Sequence, residues 1–264
     1  MTDNPRRRID TSVAHSARVW NYWLGGKDNY IADQVAGDAY REAFPRIEVM
    51  ARESRAFLRR TVTYLAAEEG VRQFLDLGAG LPTTDNTHEV AQRIAPDSRI
   101  VYVDHDPLVL LHVQALLDST PEGATAYIEA DMQDTETVLA RAAETLDMTR
   151  PIALISSDVL GHIVDFDEAL GLVERLVNRL PAGSFLALSH STADSPEHAR
   201  AQNAYNASGA VPYIFRDPVK EIPLFFTGLE LVEPGLVSWP NWKPDATTGN
   251  ATVRAGWGAV ARIP

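Results

Sequence analysis

The chain has 264 residues, 45% of them hydrophobic and 23% charged, with a net charge of −12. That is enough for a full α/β core, and the negative balance argues against a broad phosphate-backbone footprint and nonspecific nucleic-acid binding. Without a single cysteine, disulfides, thiolate catalysis and Cys-ligated metals are excluded.

Residues 1–11 carry Arg6, Arg7 and Arg8 with no apolar run behind them, unlike a signal peptide. No window reaches the roughly 18 apolar residues of a membrane helix, so a cytoplasmic protein without a membrane partner is expected. The first 50 residues lack sheet character but hold Trp20, Tyr22 and Trp23 beside Gly25 and Gly26, and read as a helical cap. From Val71 onward strand-like and helix-like segments alternate, the pattern of a doubly wound, mostly parallel sheet with helices on both faces.

The first strand is expected at 72–77, where Phe74 and Leu75 suit burial on both faces. A helix follows from Thr87, with Val90, Ala91 and Ile94 on one side and Pro96 closing it. The second strand, 100–104, ends at Asp104. Asp106-Pro107 then reads as a cap and first turn of a helix burying Leu108, Leu111 and Ala115. The third strand covers 126–128 and ends near Asp131. Val138, Leu139, Ala142 and Leu146 form a helical stripe, 151–155 a fourth strand, Leu170, Val173, Val177 and Leu180 another helix, and 184–189 a fifth strand. Residues 192–222 read as a helical excursion, and 229–236 with 253–263 as an antiparallel terminal strand pair. With neither repeats nor a low-complexity linker, one domain is expected: cap 1–50, core 71–191, insertion 192–222 and terminal pair 223–264.

The most informative stretch is Phe74-Leu75-Asp76-Leu77-Gly78-Ala79-Gly80-Leu81-Pro82. Two glycines at the carboxyl end of a buried strand permit a tight turn and bring bare backbone against a ligand, as in nucleotide-cofactor sites of open α/β sheets. Asp76, Asp104 and Asp131 fall at or just past successive strand ends, 28 and then 27 residues apart. Parallel strands place such acids along one edge. A carboxylate ending the second strand accepts hydrogen bonds from both ribose hydroxyls, and an acid after the third suits an adenine amino group. Each is also an ordinary cap or turn residue.

This combination resembles the class I S-adenosylmethionine-dependent methyltransferases, through Asp76-Leu77-Gly78-Ala79-Gly80, Val103-Asp104 and Ala130-Asp131. A nearer resemblance covers almost the whole chain. Asp10-Thr11-Ser12, Ala17-Arg18-Val19-Trp20-Asn21-Tyr22-Trp23-Leu24-Gly25-Gly26-Lys27-Asp28-Asn29-Tyr30, the run from Gly80 to His88, Arg150-Pro151 and Leu186-Ala187-Leu188-Ser189-His190 look like a bacterial family of such methyltransferases long catalogued as a domain of unknown function. The resemblance implies a seven-stranded sheet and S-adenosylmethionine as cofactor, and leaves the acceptor open. Ile155-Ser156-Ser157-Asp158-Val159-Leu160-Gly161-His162 departs from that family's pattern, in which a mostly apolar run precedes histidine.

Transfer from a sulfonium needs positioning first and a general base only if the acceptor loses a proton. His162, near a strand end, is the first candidate base, with Asp158 and His190 as alternatives; each also reads as a structural residue. Trp20, Tyr22 and Trp23 form a candidate lid over the cofactor, hinged at Gly25-Gly26, with Arg18 or Lys27 for the methionine carboxylate. Thr83, Asp85 and Asn86 lie beside the glycine loop. His105, Met132 and Ser156, next to the strand ends, complete the expected cofactor contacts with Tyr22 and Gly26. Tyr205, Asn206, Tyr213 and Phe215 are expected to line the pocket of a small-molecule acceptor. Two other readings stay open: a nicotinamide oxidoreductase, against which Thr83 stands where a third glycine would be, and a cofactor-binding protein without turnover. No metal site is expected, since only Asp104-His105-Asp106 has close spacing.

Overall fold

Phe74 and Leu75 set the architecture, because neighbours in a strand point to opposite faces and both are fully buried. The structure, a computed structural model, describes residues 10–106, 109, 119–193, 195–246 and 255–264. The expected helix with Leu108, Leu111 and Ala115, the three N-terminal arginines and Val253 lie outside the described residues.

Among the described residues eight strands, against an expected seven, form one sheet: β1 (Gln73–Leu77), β2 (Arg99–Asp104), β3 (Ala124–Glu129), β4 (Ala153–Ser157), β5 (Phe185–Ser191), β6 (Glu230–Leu231), β7 (Val237–Ser238) and β8 (Gly256–Arg262). Their order is β3-β2-β1-β4-β5-β8-β6, with β7 also on β8. The first five strands are parallel, and β8 runs antiparallel to β5, from Phe185 against Arg262 to Ser191 against Gly256. The described residues include seven α-helices: α1 (Ser16–Trp23), α2 (Ile31–Ala43), α3 (Ile47–Ala67), α4 (Thr87–Ile94), α5 (Thr135–Ala142), α6 (Phe166–Val177) and α7 (Pro196–Asn206). One core layer packs Phe74, Ile100, Tyr102, Ile155 and Val260 against α1, α3 and α4; the other packs Leu75, Val101, Leu154 and Leu186 against α5 and α6. Because β1 pairs with β2 on one side and β4 on the other, the order reverses at its carboxyl end. That is where open α/β sheets bind ligands.

Three segments differ from expectation. The fourth strand runs to Ser157 rather than 155, because its pairing with β5 continues to Ser157 against Ser189. Among the described residues of 192–222 the α-helix is confined to α7, capped by Ser195, whose hydroxyl accepts the His198 N–H at 3.2 Å. Beyond it Pro212 bars a helix, and the Asn206 side chain bonds both backbone groups of Tyr213 instead. The strand expected at 229–236 is reduced to β6 and β7, since Pro234 lies between them and has no N–H for a ladder.

The N-terminal helices are fastened by a buried ion pair. Asp33 accepts from the His15 N–H at 2.9 Å, the Tyr30 N–H at 2.8 Å and Arg18 Nε at 3.0 Å, while the Arg18 guanidinium also donates to the carbonyls of Asp10 and Val13. Both side chains are buried. Removing one partner of such a pair strands the other charge, so Asp33→Ala is expected to cost about 3–5 kcal/mol in urea denaturation. Additive losses for Asp33→Ala and Arg18→Ala in the double variant would show that the two do not act as a pair.

Candidate functional site

Beyond Leu77 the chain turns through Gly78 and Gly80, at φ of 65° and 63°. The N–H groups of Gly78 and Ala79 donate to the Val103 carbonyl at 2.8 and 3.3 Å, and the Gly80 N–H donates to Asp104 Oδ2 at 2.9 Å. The other Asp104 oxygen accepts the Asp106 N–H at 3.0 Å. The acid ending β2 thus holds the loop after β1, and each carboxylate oxygen keeps a further lone pair for a ligand. A Cβ on Gly78 would stand 2.2 Å from Val159 Cγ2, whereas one on Gly80 would meet nothing within 4 Å.

A cavity of about 350 Å³ opens at this edge under α1 and α3. Of the residues singled out from the sequence, Asp76, Gly78, Gly80, Thr83, Asp104, His105, Asp131, Met132, Asp158 and His162 line it. Asp76 is buried, accepts the Thr87 hydroxyl at 2.6 Å, and is pushed up to about 6 by burial, against the pull of Thr87 and Arg55.

Arg55, on α3, was not legible as a site residue, because its helix also carries Arg52, Arg59 and Arg60 without distinguishing spacing. It lines the cavity, donates through Nη2 to the Asp85 carbonyl at 3.1 Å, and keeps an Nε donor with no partner among the described residues. Burial lowers its pKa, and the Asp76 carboxylate is the foremost charge opposing that. His15, also missed, lines the cavity with Nδ1 3.2 Å from Asp106 Oδ2.

The other wall begins where β4 ends. His162 closes a short 3-10 turn, Leu160–His162, and its Nδ1 lies 2.8 Å from the Pro212 carbonyl. A carbonyl only accepts, so Nδ1 bears the hydrogen and Nε2 the lone pair. Burial lowers the ring's pKa, leaving it neutral near pH 7. Asp158, at φ 57°, accepts from the Ser191 N–H at 2.6 Å, the Ser191 hydroxyl at 2.8 Å and the Tyr213 hydroxyl at 2.5 Å. Burial pushes it up to about 6 despite these bonds. Its carboxylate ties the ends of β4 and β5 to Tyr213.

Eight expected contacts, Trp23 among them, are not brought to the cavity. Arg18 is turned to Asp33, and the Tyr22 hydroxyl donates to Asp38 at 2.7 Å on the outer side. Gly26 packs on Asn21 and Lys27 is exposed. Asn86 caps α4, exchanging bonds with Thr83 and Glu89. Ser156 is buried within β4, and the next residue, Ser157, lines the cavity instead. His190 is fully buried, donates from Nδ1 to the Ser191 carbonyl at 2.8 Å, and is pushed down to about 4 by burial. Of the three lid aromatics only Trp20 lines this cavity. Among the described residues no group of three or more His, Asp or Glu is arranged to hold a metal ion.

A family profile described as S-adenosyl methyltransferase matches residues 2–264. The fold is similar to a DUF574-family protein from Streptomyces avermitilis MA-4680, at 49% identity over 97% of this chain and 100% of that one, with a TM-score of 0.93. It is also similar to a provisionally assigned methyltransferase from Thermobifida fusca YX, at 35% identity over 99% of each chain, TM-score 0.86. No curated protein matches the sequence.

The two loop glycines are expected to respond differently to alanine. Gly78→Ala combines left-handed strain with the Val159 clash, for a loss of about 2–5 kcal/mol; Gly80→Ala meets strain alone, about 1–2 kcal/mol. Equal losses in urea denaturation would mean that the Val159 contact does not demand glycine.

Proposed function

The chain belongs to the S-adenosyl methyltransferase family, and from that premise we propose that it transfers the methyl group of S-adenosylmethionine to a small-molecule acceptor at the sheet-edge cavity. The observation that carries this reading is Asp104. It ends β2 at the point where the strand order reverses, bonded to the glycine loop yet with acceptor capacity facing the cavity. The residues fit the cofactor. Asp104 would take the ribose hydroxyls, Asp131 the adenine amino group, and Arg55, whose buried Nε has no partner among the described residues, the methionine carboxylate. Gly80 leaves the approach clear. When bound, the cofactor supplies an electrophilic methyl on a sulfonium.

The protein's own work is then positioning and proton handling. His162 offers Nε2 as a base, its tautomer held by Pro212. Asp158 serves as a strut rather than a base, since three donors already occupy its carboxylate. Trp20 excludes water and presents an aromatic wall to the cofactor's positive charge. Against a dinucleotide enzyme stands the start of α4, whose N-terminus is closed by Asn86 and Glu89 instead of being free for a pyrophosphate.

Thermal unfolding with S-adenosylmethionine, S-adenosylhomocysteine or NAD tests this directly. At about 100-fold over the dissociation constant a native-state ligand stabilises by about 2.7 kcal/mol; a shift with the two adenosyl compounds alone is expected, and a shift with NAD alone overturns the reading. Asp104→Ala should weaken both S-adenosylhomocysteine and 5′-methylthioadenosine, by about 10- to 150-fold for a charged hydrogen bond. Arg55→Met should weaken only the former, because methylthioadenosine lacks the carboxylate. If Arg55→Met weakens both equally, the guanidinium does not hold that group.

The His162 ring should titrate by NMR with a midpoint below 6.5, the direction its burial dictates. Base-dependent turnover then holds level from pH 8 down to that midpoint and falls below it. A midpoint above 7 would leave the ring mostly protonated at neutral pH and remove the free lone pair.

A further inference from the structure

The segment 211–216 has no helix or strand of its own, yet it straps the turn that carries His162. The Pro212 carbonyl accepts the His162 Nδ1–H at 2.8 Å, and the Ile214 N–H donates to the Gly161 carbonyl at 2.8 Å. Two residues further on, Arg216 Nη2 donates to the carbonyls of Ile163 and Val164 at 2.7 and 3.0 Å. A short 3-10 turn has few bonds of its own, and those are poorly aligned. Here they run from the His162 N–H to the Val159 carbonyl at 3.0 Å and from the Ile163 N–H to the Leu160 carbonyl at 3.1 Å. The direction of the His162 ring therefore depends on how the strap is held.

Tyr213 lies between the first two of those contacts. Its ring rests on Gly161, where a Cβ would stand 2.4 Å from Tyr213 Cζ, so glycine is what lets the ring lie against the turn. The same ring meets the His162 imidazole edge to face, with centroids 5.2 Å apart and planes at 88°. At its far end the hydroxyl donates to Asp158 Oδ1 at 2.5 Å and stands 3.1 Å from the Ser191 N–H. Asp158 is itself fixed where β4 ends: its N–H donates to the Ser189 carbonyl at 3.0 Å, and its carboxylate accepts from Ser191. Asn206 holds the Tyr213 backbone from the side of α7, whereas the hydroxyl reaches the strand exits from which the turn starts. Burial, with Asp158 alongside, holds the phenol's pKa well above its ordinary value, so it remains a donor.

We propose that Tyr213 is a positioning residue for the methyl transfer: its hydroxyl, anchored on Asp158, seats the Pro212 carbonyl against His162 Nδ1 and so keeps the lone pair on Nε2. The inference rests on the methyltransferase reading with His162 as its base, and adds to it the residue that holds that base ready. Tyr213 does not line the sheet-edge cavity, whereas His162 and Val211, at the start of the strap, do. It therefore acts through His162 and not on the reacting atoms. Without the anchor the ring keeps its packing on Gly161, but the Pro212 carbonyl is free to move out of reach. An N–H···O bond is lost beyond about 3.5 Å, and the imidazole hydrogen then divides between the two nitrogens.

The tautomer is read by nitrogen NMR of histidine-labelled protein, with no acceptor needed. At pH 8 the lowered pKa of His162 leaves its ring neutral, and its signals are assigned through their loss in His162→Gln. The wild-type ring is expected in the Nδ1–H form. Tyr213→Phe removes only an oxygen, and its S-adenosylhomocysteine affinity reports whether it is folded. In this variant the ratio of the Nδ1–H to the Nε2–H form should fall by about 2- to 12-fold, the range of one neutral hydrogen bond. Gly161→Ala, which displaces the ring, should move the ratio the same way and serves if Tyr213→Phe does not fold. Leu172→Ala opens a cavity under α6, and should lower the unfolding temperature while leaving the ratio in place. An unchanged ratio in folded Tyr213→Phe or in Gly161→Ala, or an equal fall in Leu172→Ala, would overturn the proposal. Failure of S-adenosylhomocysteine to bind the wild type would instead defeat the methyltransferase reading, and a wild-type ring in the Nε2–H form would defeat His162 as its base; both are seen before any variant is compared.

Discussion

One close approach organises the ligand edge: Val159 stands where a side chain of Gly78 would be. Because that space is free, the exit of β4 closes against the exit of β1, and two sets of groups come to face one cavity. On one side are the glycine loop and Asp104; on the other are Asp158 and His162. A bulkier residue at 78 would hold the two strand exits apart. The bond from Gly80 N–H to Asp104 then draws the end of β2 into the same arrangement. The exits of β1, β2 and β4 are thus drawn together by the glycine loop.

Charge is divided in a consistent way between holding the fold and meeting ligands. Arg18 and Asp33 neutralise each other within the N-terminal helices, and Asp158 is occupied by Ser191 and Tyr213. Around the cavity stand the acceptor capacity of Asp104 and Asp131, the buried Nε of Arg55, which has no partner among the described residues, and the Nε2 of His162. The last depends on the segment after α7, where the Ile214 N–H donates to the Gly161 carbonyl at 2.8 Å and the Pro212 carbonyl accepts the His162 Nδ1–H. A stretch without regular secondary structure therefore sets the tautomer of the candidate base. It also brings Tyr213 and Phe215 to a small recess that Asp158 and His162 line as well.

The sheet was readable because strands buried on both faces leave continuous apolar runs, and the turns between them carry glycine, proline and aspartate. The ladder of Asp76, Asp104 and Asp131 was readable for a related reason, since parallel strands of similar spacing must bring their ends to one edge. Tyr205, Asn206, Tyr213 and Phe215 were expected from position alone to line one pocket; the three aromatics line the small recess, of about 30 Å³, and Asn206 does not. Arg18, Lys27 and Arg55 show where such reasoning stops. All three are arginines or lysines in the N-terminal third, yet one is consumed by Asp33, one is exposed, and one lines the cavity.

The sequence by itself determined the alternation of strands and helices, the glycine turn after the first strand and the acids at the strand ends, because these follow from local periodicity and backbone sterics. Tertiary structure alone decided that Arg18 is taken by Asp33 while Arg55 lines the cavity, which nitrogen of His162 carries the hydrogen, and that Ser191 and Tyr213 fill the Asp158 carboxylate. Each of those depends on a neighbour distant in the chain: Pro212 for His162, Ser191 and Tyr213 for Asp158. No local pattern encodes such pairings. They exist only once packing has brought the ends of β4 and β5, the helix α3 and the segment after α7 around the same space.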